Sequence, residues 1–255
     1  MNIQKFYRPI SEQEISSLKN AKQIFSDCYL ASTLNALTRT DTGKSILKKH
    51  IQKTFNPDLP EYKIHFSNIY DSEKDIFVTL KEINNLKLSD KYGNIVMHNI
   101  EENNTLKAME IAMNKLIKQH PFLKSLISRI PKSVEKFEYN SPSKFMHMFT
   151  GKKPRCVNEY TLKNTLISST PEAKTILNLI SSSNGEHNFI AGTGYFVNFP
   201  KLETWHCYVI TDVNKQTEKI NIYNQKTGES FDLSINTFLK KFKFITGFLS
   251  KDLNR

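Results

Sequence analysis

The spacing of hydrophobic and polar positions is helical in the first part of the chain. Short helices are predicted at residues 11–19, 28–38 and 41–51. Asp27 and Asp41 are the predicted N-caps of the second and third of these helices. A longer amphipathic helix has one apolar stripe, formed by Leu106, Met109, Ala112, Met113 and Leu116. Alternating apolar residues predict strands over 61–66 and 75–80.

The second part of the chain changes to the alternation that is typical of strands. Strands are predicted at residues 189–199, 205–213, 219–224 and 242–249. Helices are predicted at residues 141–151, at residues 171–180 and after the N-cap Ser234. A helix-rich part followed by a strand-rich part favours the α+β class of folds.

The chain shows no internal repeat, low-complexity tract or linker, which predicts a single core over residues 1–255. Within that core we expect a helical lobe at residues 1–120 and a β-rich lobe at residues 121–255. Hydrophobic residues make up 38% of the chain, which is enough to fill the interior of such a core.

The net charge indicates which partners to expect. Lys and Arg number 36 against 25 Asp and Glu, so the formal charge is +11 and favours an acidic protein surface or an anionic membrane surface. The lysines are dispersed in doublets, so nucleic-acid binding is not the expected function. Since no apolar run is long enough to cross a bilayer, we do not expect an integral membrane protein.

The cysteines indicate a reducing compartment. Cys28, Cys156 and Cys207 are odd in number and irregular in spacing, which is unlike a disulfide framework. The first residues lack the apolar region of a secretory signal, so we expect no export by the general secretory route. No metal site is expected either, because zinc-binding spacings are missing and the adjacent His206 and Cys207 should point to opposite faces of a strand.

Cys28 follows Asp27 at the start of a predicted apolar helix. One interpretation is a small buried residue that packs beside Leu30 and Leu34. The other is a nucleophile, because the unpaired N–H groups and the dipole at a helix N-terminus stabilise a thiolate.

The candidate base for this thiol is His206, at the start of the strand predicted at 205–213. If a hairpin places residue 213 opposite 219, Asn224 becomes a diagonal neighbour of His206 at roughly 7–8 Å and its amide can orient the imidazole. A slip of one residue would separate the two side chains onto opposite faces. Asp212 is a competing orienting residue, and Asn221 is a weaker substitute for Asn224.

A cysteine, a histidine and an asparagine in this order are expected of a papain-like thiol protease. The chain resembles the calpain-type members, whose Gly-Asp-Cys-Trp-Leu and Gly-His-Ala-Tyr-Ser-Val motifs are similar to SDCYL at 26–30 and WHCYVI at 205–210. Further similarities are LKAMEIAMNKLIK at 106–118, the FTG turn at 149–151, and IYNQKTG at 222–228 in place of Arg-Asn-Pro-Trp-Gly.

The resemblance implies a papain-like two-lobed fold with Cys28 as nucleophile, His206 as general base and acid, and Asn224 as orienting residue. It also implies an oxyanion-hole glutamine six residues before the cysteine, whereas Gln23 is five residues before it. We assign that role to Gln23, with Lys22 and Asn20 left as alternatives.

The implied function is that of a stand-alone calpain-like cysteine peptidase that hydrolyses protein substrates. Minimal protease cores of this kind resemble bacterial virulence effectors injected into host cytosol, so we expect a reducing, cytosolic place of action. Calcium activation is implied by the family alone, and DSEKD at 71–75 is interpreted as a charged turn, not as a calcium loop. We expect no cofactor. Two alternatives are a papain-fold glutamine deamidase or acyltransferase, and a catalytically inactive binding module.

Overall fold

The computed structural model of the chain describes residues 6–19, 28–69, 72–85, 103–120, 142–157, 171–194 and 197–254. These residues combine helices with antiparallel sheets, in agreement with the α+β class predicted from the sequence.

Helices and strands have the following bounds in the described residues. The helices are α1 (Glu12–Lys19), α2 (Cys28–Leu37), α3 (Asp41–His50), α4 (Leu80–Asn84), α5 (Asn104–Gln119), α6 (Pro142–Thr150), α7 (Pro171–Ser181), α8 (Ile235–Lys241) and α9 (Ser250–Leu253). The strands are β1 (Arg8–Pro9), β2 (Ile51–Lys53), β3 (Tyr62–Ile69), β4 (Ser72–Val78), β5 (Arg155–Val157), β6 (His187–Thr193), β7 (Cys207–Asn214), β8 (Lys219–Asn224), β9 (Glu229–Ser234) and β10 (Phe242–Leu249).

The strands form two sheets. A four-stranded sheet has the order β1-β2-β3-β4, and a six-stranded sheet has the order β5-β10-β6-β7-β8-β9. All neighbouring strands pair antiparallel. The first part of the chain therefore contains a small sheet besides its helices, and the larger sheet belongs to the second part.

Two hydrophobic clusters form the core. The first joins α2, α5 and α6 to the four-stranded sheet, and also includes Cys207, Val209 and Tyr223 from the larger sheet. The second packs α7 and α8 against the larger sheet. Helix α6 follows residue 120 in the chain but contacts β3 and α2. Helix α2 contacts both β6 and β7, so its first residue is held against the larger sheet.

Local capping accounts for several helix starts. At α1, the Ser11 hydroxyl accepts from the Glu14 N–H at 3.2 Å and the Glu14 carboxylate accepts from the Ser11 N–H at 2.9 Å, which is a capping box. Ser234 caps α8 as predicted. The predicted N-cap Asp41 is wrong, because Thr40 accepts the Gly43 N–H and Asp41 is already the first helical residue. Asp27, the predicted cap of α2, lies outside the described residues.

Two further differences separate prediction from structure. The strand predicted over 189–199 ends at Thr193, and the segment interpreted as a charged turn at 71–75 enters strand β4 at Ser72. Within the part of the chain that the structure describes, no helix is both long and apolar enough to cross a bilayer.

Candidate functional site

The first residue of α2 is Cys28, and the whole helix is buried. Its Sγ lies 3.9 Å from the carbonyl oxygen of Trp205, to which the thiol form can donate. Cys28 itself is 7% exposed, at the junction of α2 with β7. The N–H groups in the first turn of a helix lack intrahelical partners and favour a negative charge nearby, which at this position is the Cys28 thiolate.

The hairpin of β7 and β8 brings His206 and Asn224 together. The predicted pairing of 213 with 219 is wrong at the turn, where Val213 lies opposite Ile220. An irregularity between Ile210 and Asp212 shifts the register by one residue, so that Val209 lies opposite Tyr223. The strand ends near the site therefore have the register that the sequence predicted, and the face shared by positions 206 and 224 is preserved.

The His206 and Asn224 side chains are hydrogen-bonded. The Nε2 atom of His206 lies 2.9 Å from Oδ1 of Asn224, and the two residues are 5% and 2% exposed. When the amide oxygen faces Nε2, that nitrogen carries a proton and Nδ1 is left for another partner. This is the orientation that an asparagine must impose if the imidazole is to take a proton from a thiol.

The chain around His206 is fixed by neighbouring side chains. The Thr193 hydroxyl accepts the His206 N–H at 3.0 Å, and the Tyr208 ring packs edge-on against the imidazole with centroids 4.8 Å apart. Trp205, just before the histidine, has a left-handed φ of 53°, a region that favours glycine. The strained turn places His206 ahead of strand β7, which begins at Cys207.

Cys28 contacts both His206 and Cys207. Hydrogen bonds from the Cys207 thiol, from the His206 ring and from the Cys207 N–H, with the positive charge that His206 can carry, lower the pKa of the Cys28 thiol to about 5 against the opposing effect of burial. A pKa in this range makes the thiolate the main form of Cys28 at neutral pH. Among the three cysteines, only this one combines a helix N-terminus with a histidine contact.

The packing agrees with the expectation that His206 and Cys207 point to opposite faces. The His206 ring packs on Tyr208, which belongs to the second hydrophobic cluster, whereas Cys207 belongs to the first. Cys28 belongs to the first cluster too. In the described ranges, no group of three or more His, Cys, Asp or Glu side chains is arranged to hold a metal ion.

Gln225 is a site residue that the sequence analysis missed. Its side chain is fully buried, and Nε2 donates to the carbonyl oxygens of Cys28 at 3.2 Å and Cys207 at 2.8 Å. Nε2 also contacts the Ser32 hydroxyl, which itself donates to the Cys28 carbonyl. Gln225 therefore ties the helix that carries the thiol to the strand that follows the histidine. Its position directly after Asn224 was the available signal.

The other candidates do not join this group. Asn221 donates from Nδ2 to Asp232 at 2.7 Å and contacts Thr211, at the far end of the hairpin. Asp212 is exposed and lies opposite Asn221. The oxyanion candidates Gln23, Lys22 and Asn20 lie outside the described residues.

Comparison with known proteins identifies no family for this chain. No model of a known protein family matches the chain, and a search of curated proteins found no match either. The site is therefore interpreted from its own residues.

Proposed function

We propose that this chain is a cysteine peptidase core with a papain-like two-lobed fold and the calpain-type order of catalytic residues. The observation that carries the proposal is the group formed by Cys28, His206 and Asn224. The thiol at the head of a buried helix lies 3.9 Å from the carbonyl oxygen of the residue before His206, and the nearby imidazole lowers the pKa of the thiol. The Nε2 of that imidazole lies 2.9 Å from a buried amide oxygen. A nucleophile, its base and an orienting group in contact are the arrangement that covalent catalysis requires.

The proposed reaction begins with the Cys28 thiolate and the protonated His206. The sulfur attacks the carbonyl carbon of a peptide bond, and the oxygen becomes an oxyanion. In our proposal the Cys28 N–H and Gln23 donate to this oxygen. His206 gives its proton to the leaving amine while Asn224 keeps the ring in place. His206 then takes a proton from water, whose oxygen attacks the thioester and releases the new carboxyl group.

Two features support catalysis over a binding role. The lowered pKa of Cys28 supplies the reactive form of the thiol at neutral pH. The fully buried Gln225 amide donates to the carbonyls of both Cys28 and Cys207 and so holds the two residues together. A surface that only docks a partner does not require this buried bridge.

A peptide library tests the proposed function. The chain and its Cys28→Ser and His206→Ala variants are incubated with peptides from a digested proteome, and mass spectrometry records the products. We expect new peptide termini with the unchanged chain alone. Conversion of glutamine to glutamate without new termini would replace the peptidase with a deamidase. Acyl groups moved onto amines would indicate a transferase, and unchanged peptides would favour a binding module.

The place of action and the preferred surface belong to the same proposal. Three free cysteines suit a reducing compartment, and we propose host cytosol, reached by a route for injected effectors. The charge of +11 supports substrates or docking surfaces of acidic character. A secretion assay that finds the protein retained in its producing cell would contradict this placement, and activity unaffected by high salt would contradict an electrostatic role.

A further inference from the structure

The orientation of the Asn224 amide is set by neighbours on both of its ends. Its Oδ1 lies 2.9 Å from the His206 Nε2 and accepts the backbone N–H of Lys226 at 2.9 Å. Its Nδ2 donates to Oε1 of Glu203 at 3.4 Å. Rotating the amide by half a turn would exchange oxygen and nitrogen without changing its shape, so only these partners decide which atom faces His206.

His206 cannot decide the orientation alone. Either ring nitrogen can donate or accept, depending on the tautomer, so the ring fits both orientations of Asn224. The Lys226 N–H can only donate and the Glu203 carboxylate can only accept. With the donor on one side of the amide and the acceptor on the other, the oxygen must face His206, and the histidine must carry its proton on Nε2.

We propose that Glu203 is a positioning residue for the Cys28 and His206 pair: it fixes the Asn224 amide, and through it the tautomer that leaves Nδ1 free for the thiol. The catalytic part of this role rests on the function proposed above.

Glu203 is held by side chains that also hold His206. The Glu203 N–H donates to the Tyr208 hydroxyl at 2.7 Å, and its carbonyl oxygen accepts from the Thr193 hydroxyl at 2.5 Å. Tyr208 packs on the His206 ring, and Thr193 accepts the His206 N–H. Movement of Glu203 relative to the imidazole is therefore restricted by two shared contacts.

The charge on Glu203 suits the same role. Burial raises the pKa of the Glu203 carboxyl group. The hydrogen bond from Lys226 and the charges of His206 and Lys226 lower this pKa by more, so the net effect is a lowered pKa. Glu203 is thus an anion near neutral pH, able to accept from Asn224 with one oxygen and from Lys226 Nζ with the other. A neutral amide at this position would offer a single oxygen to two donors.

The first test replaces Glu203 by glutamine. Glu203→Gln should lower kcat for peptide hydrolysis by about tenfold or more with little change in KM, because orientation is lost but no substrate contact is removed. Glu218→Gln, which removes an exposed carboxylate from the turn of the same hairpin, is the matched control and should leave both constants unchanged. The tautomer is read in Cys28→Ser backgrounds at pH 8, where no thiolate is left to hold the ring protonated. Nitrogen-15 NMR of the neutral His206 ring should show the Nε2–H tautomer reduced when Glu203→Gln is added and retained when Glu218→Gln is added.

A second test exchanges the two partners. Asn224→Asp alone places two carboxylates together and should also lose activity. In the double variant Glu203→Gln/Asn224→Asp, the introduced amide donates to the introduced carboxylate, which still accepts from His206. We expect the double variant to recover to within about threefold of the original kcat, a strong departure from additivity. Where a single variant does not fold, recovery of the melting temperature in the double variant gives the same answer.

The outcomes separate this inference from the proposed function. An unchanged kcat and an unchanged tautomer in Glu203→Gln would overturn the positioning role while hydrolysis stands. Losses that are simply additive in the double variant would overturn it too. If the chain cleaves no peptide but the tautomer changes in Glu203→Gln and returns in the double variant, the positioning role stands and the peptidase does not.

Discussion

The pH dependence of Cys28 alkylation gives the sharpest quantitative prediction. The pKa of the Cys28 thiol is lowered to about 5, chiefly by hydrogen bonds from Cys207 and His206, so roughly nine-tenths of this thiol is ionised at pH 6. An ordinary thiol with a pKa near 8.5 is ionised to about 0.3% at that pH, a difference of roughly 300-fold. The lower basicity of the Cys28 thiolate offsets about 30- to 60-fold of that advantage.

The net expectation is alkylation about 5- to 10-fold faster than at an ordinary, equally accessible thiol at pH 6. Because Cys28 is 7% exposed and Cys156 is exposed, the shape of the profile is more informative than the absolute rate. Above pH 6 the Cys28 rate should be nearly flat. The Cys156 rate should rise about tenfold per pH unit until pH 8 or above.

The assay is iodoacetamide labelling between pH 4 and 9, followed by peptide mapping, with Cys156 as the internal standard. His206→Ala should raise the Cys28 pKa, because it removes a hydrogen bond and a nearby positive charge while burial remains, and labelling at pH 6 should lose up to the whole 5- to 10-fold advantage. His65→Ala, a histidine paired with Asp75 in the small sheet, is the control. A Cys28 profile parallel to that of Cys156, and indifferent to His206, would refute the reasoning.

Two further predictions concern stability. Gln225→Met should lower the free energy of unfolding by about 1–2 kcal/mol, because the buried Cys207 carbonyl loses this donor while the Cys28 carbonyl keeps the Ser32 hydroxyl. Urea unfolding measures the loss, and a change below about 0.5 kcal/mol would contradict the bridging role. Burial lowers the pKa of His50 and of His187 to about 4, so both histidines bind protons more readily in the unfolded chain. The free energy of unfolding should therefore fall as the pH drops below about 6.5. The expected loss is about 2 kcal/mol per histidine between pH 7 and 5. His187→Asn should remove about half of that pH dependence, and an unchanged slope would show that His187 is not responsible.

The sequence predicted elements best where a local signal was unambiguous. The strand Lys219–Asn224 and the strand Phe242–Leu249 have the predicted bounds. Turn residues flank the first, and both are rich in the β-branched and aromatic residues that favour strands. The cap of α3 was predicted one residue too late, at Asp41 and not at Thr40. Both residue types cap helices, and only the backbone geometry distinguishes the two positions.

The site was predicted less completely than the strands around it. The residues of the proposed triad could be proposed from their order, and His206 and Asn224 lie together despite a wrong register at the turn. The irregularity that restores the register involves contacts between Thr211 and Asn221, which no local pattern reveals. Glu203 and Gln225 were missed since both lie outside strands, where alternation says nothing about where a side chain points.

Formation of an acyl intermediate tests the central claim most directly. The chain is mixed with an activated peptide ester, quenched in acid after short intervals, and examined by intact-mass and peptide-level mass spectrometry. We predict one acyl group, on Cys28, that forms and then decays as water releases it, and that is absent in Cys28→Ser and strongly reduced in His206→Ala. Absence of an adduct, or equal acylation of Cys156, would contradict a catalytic Cys28.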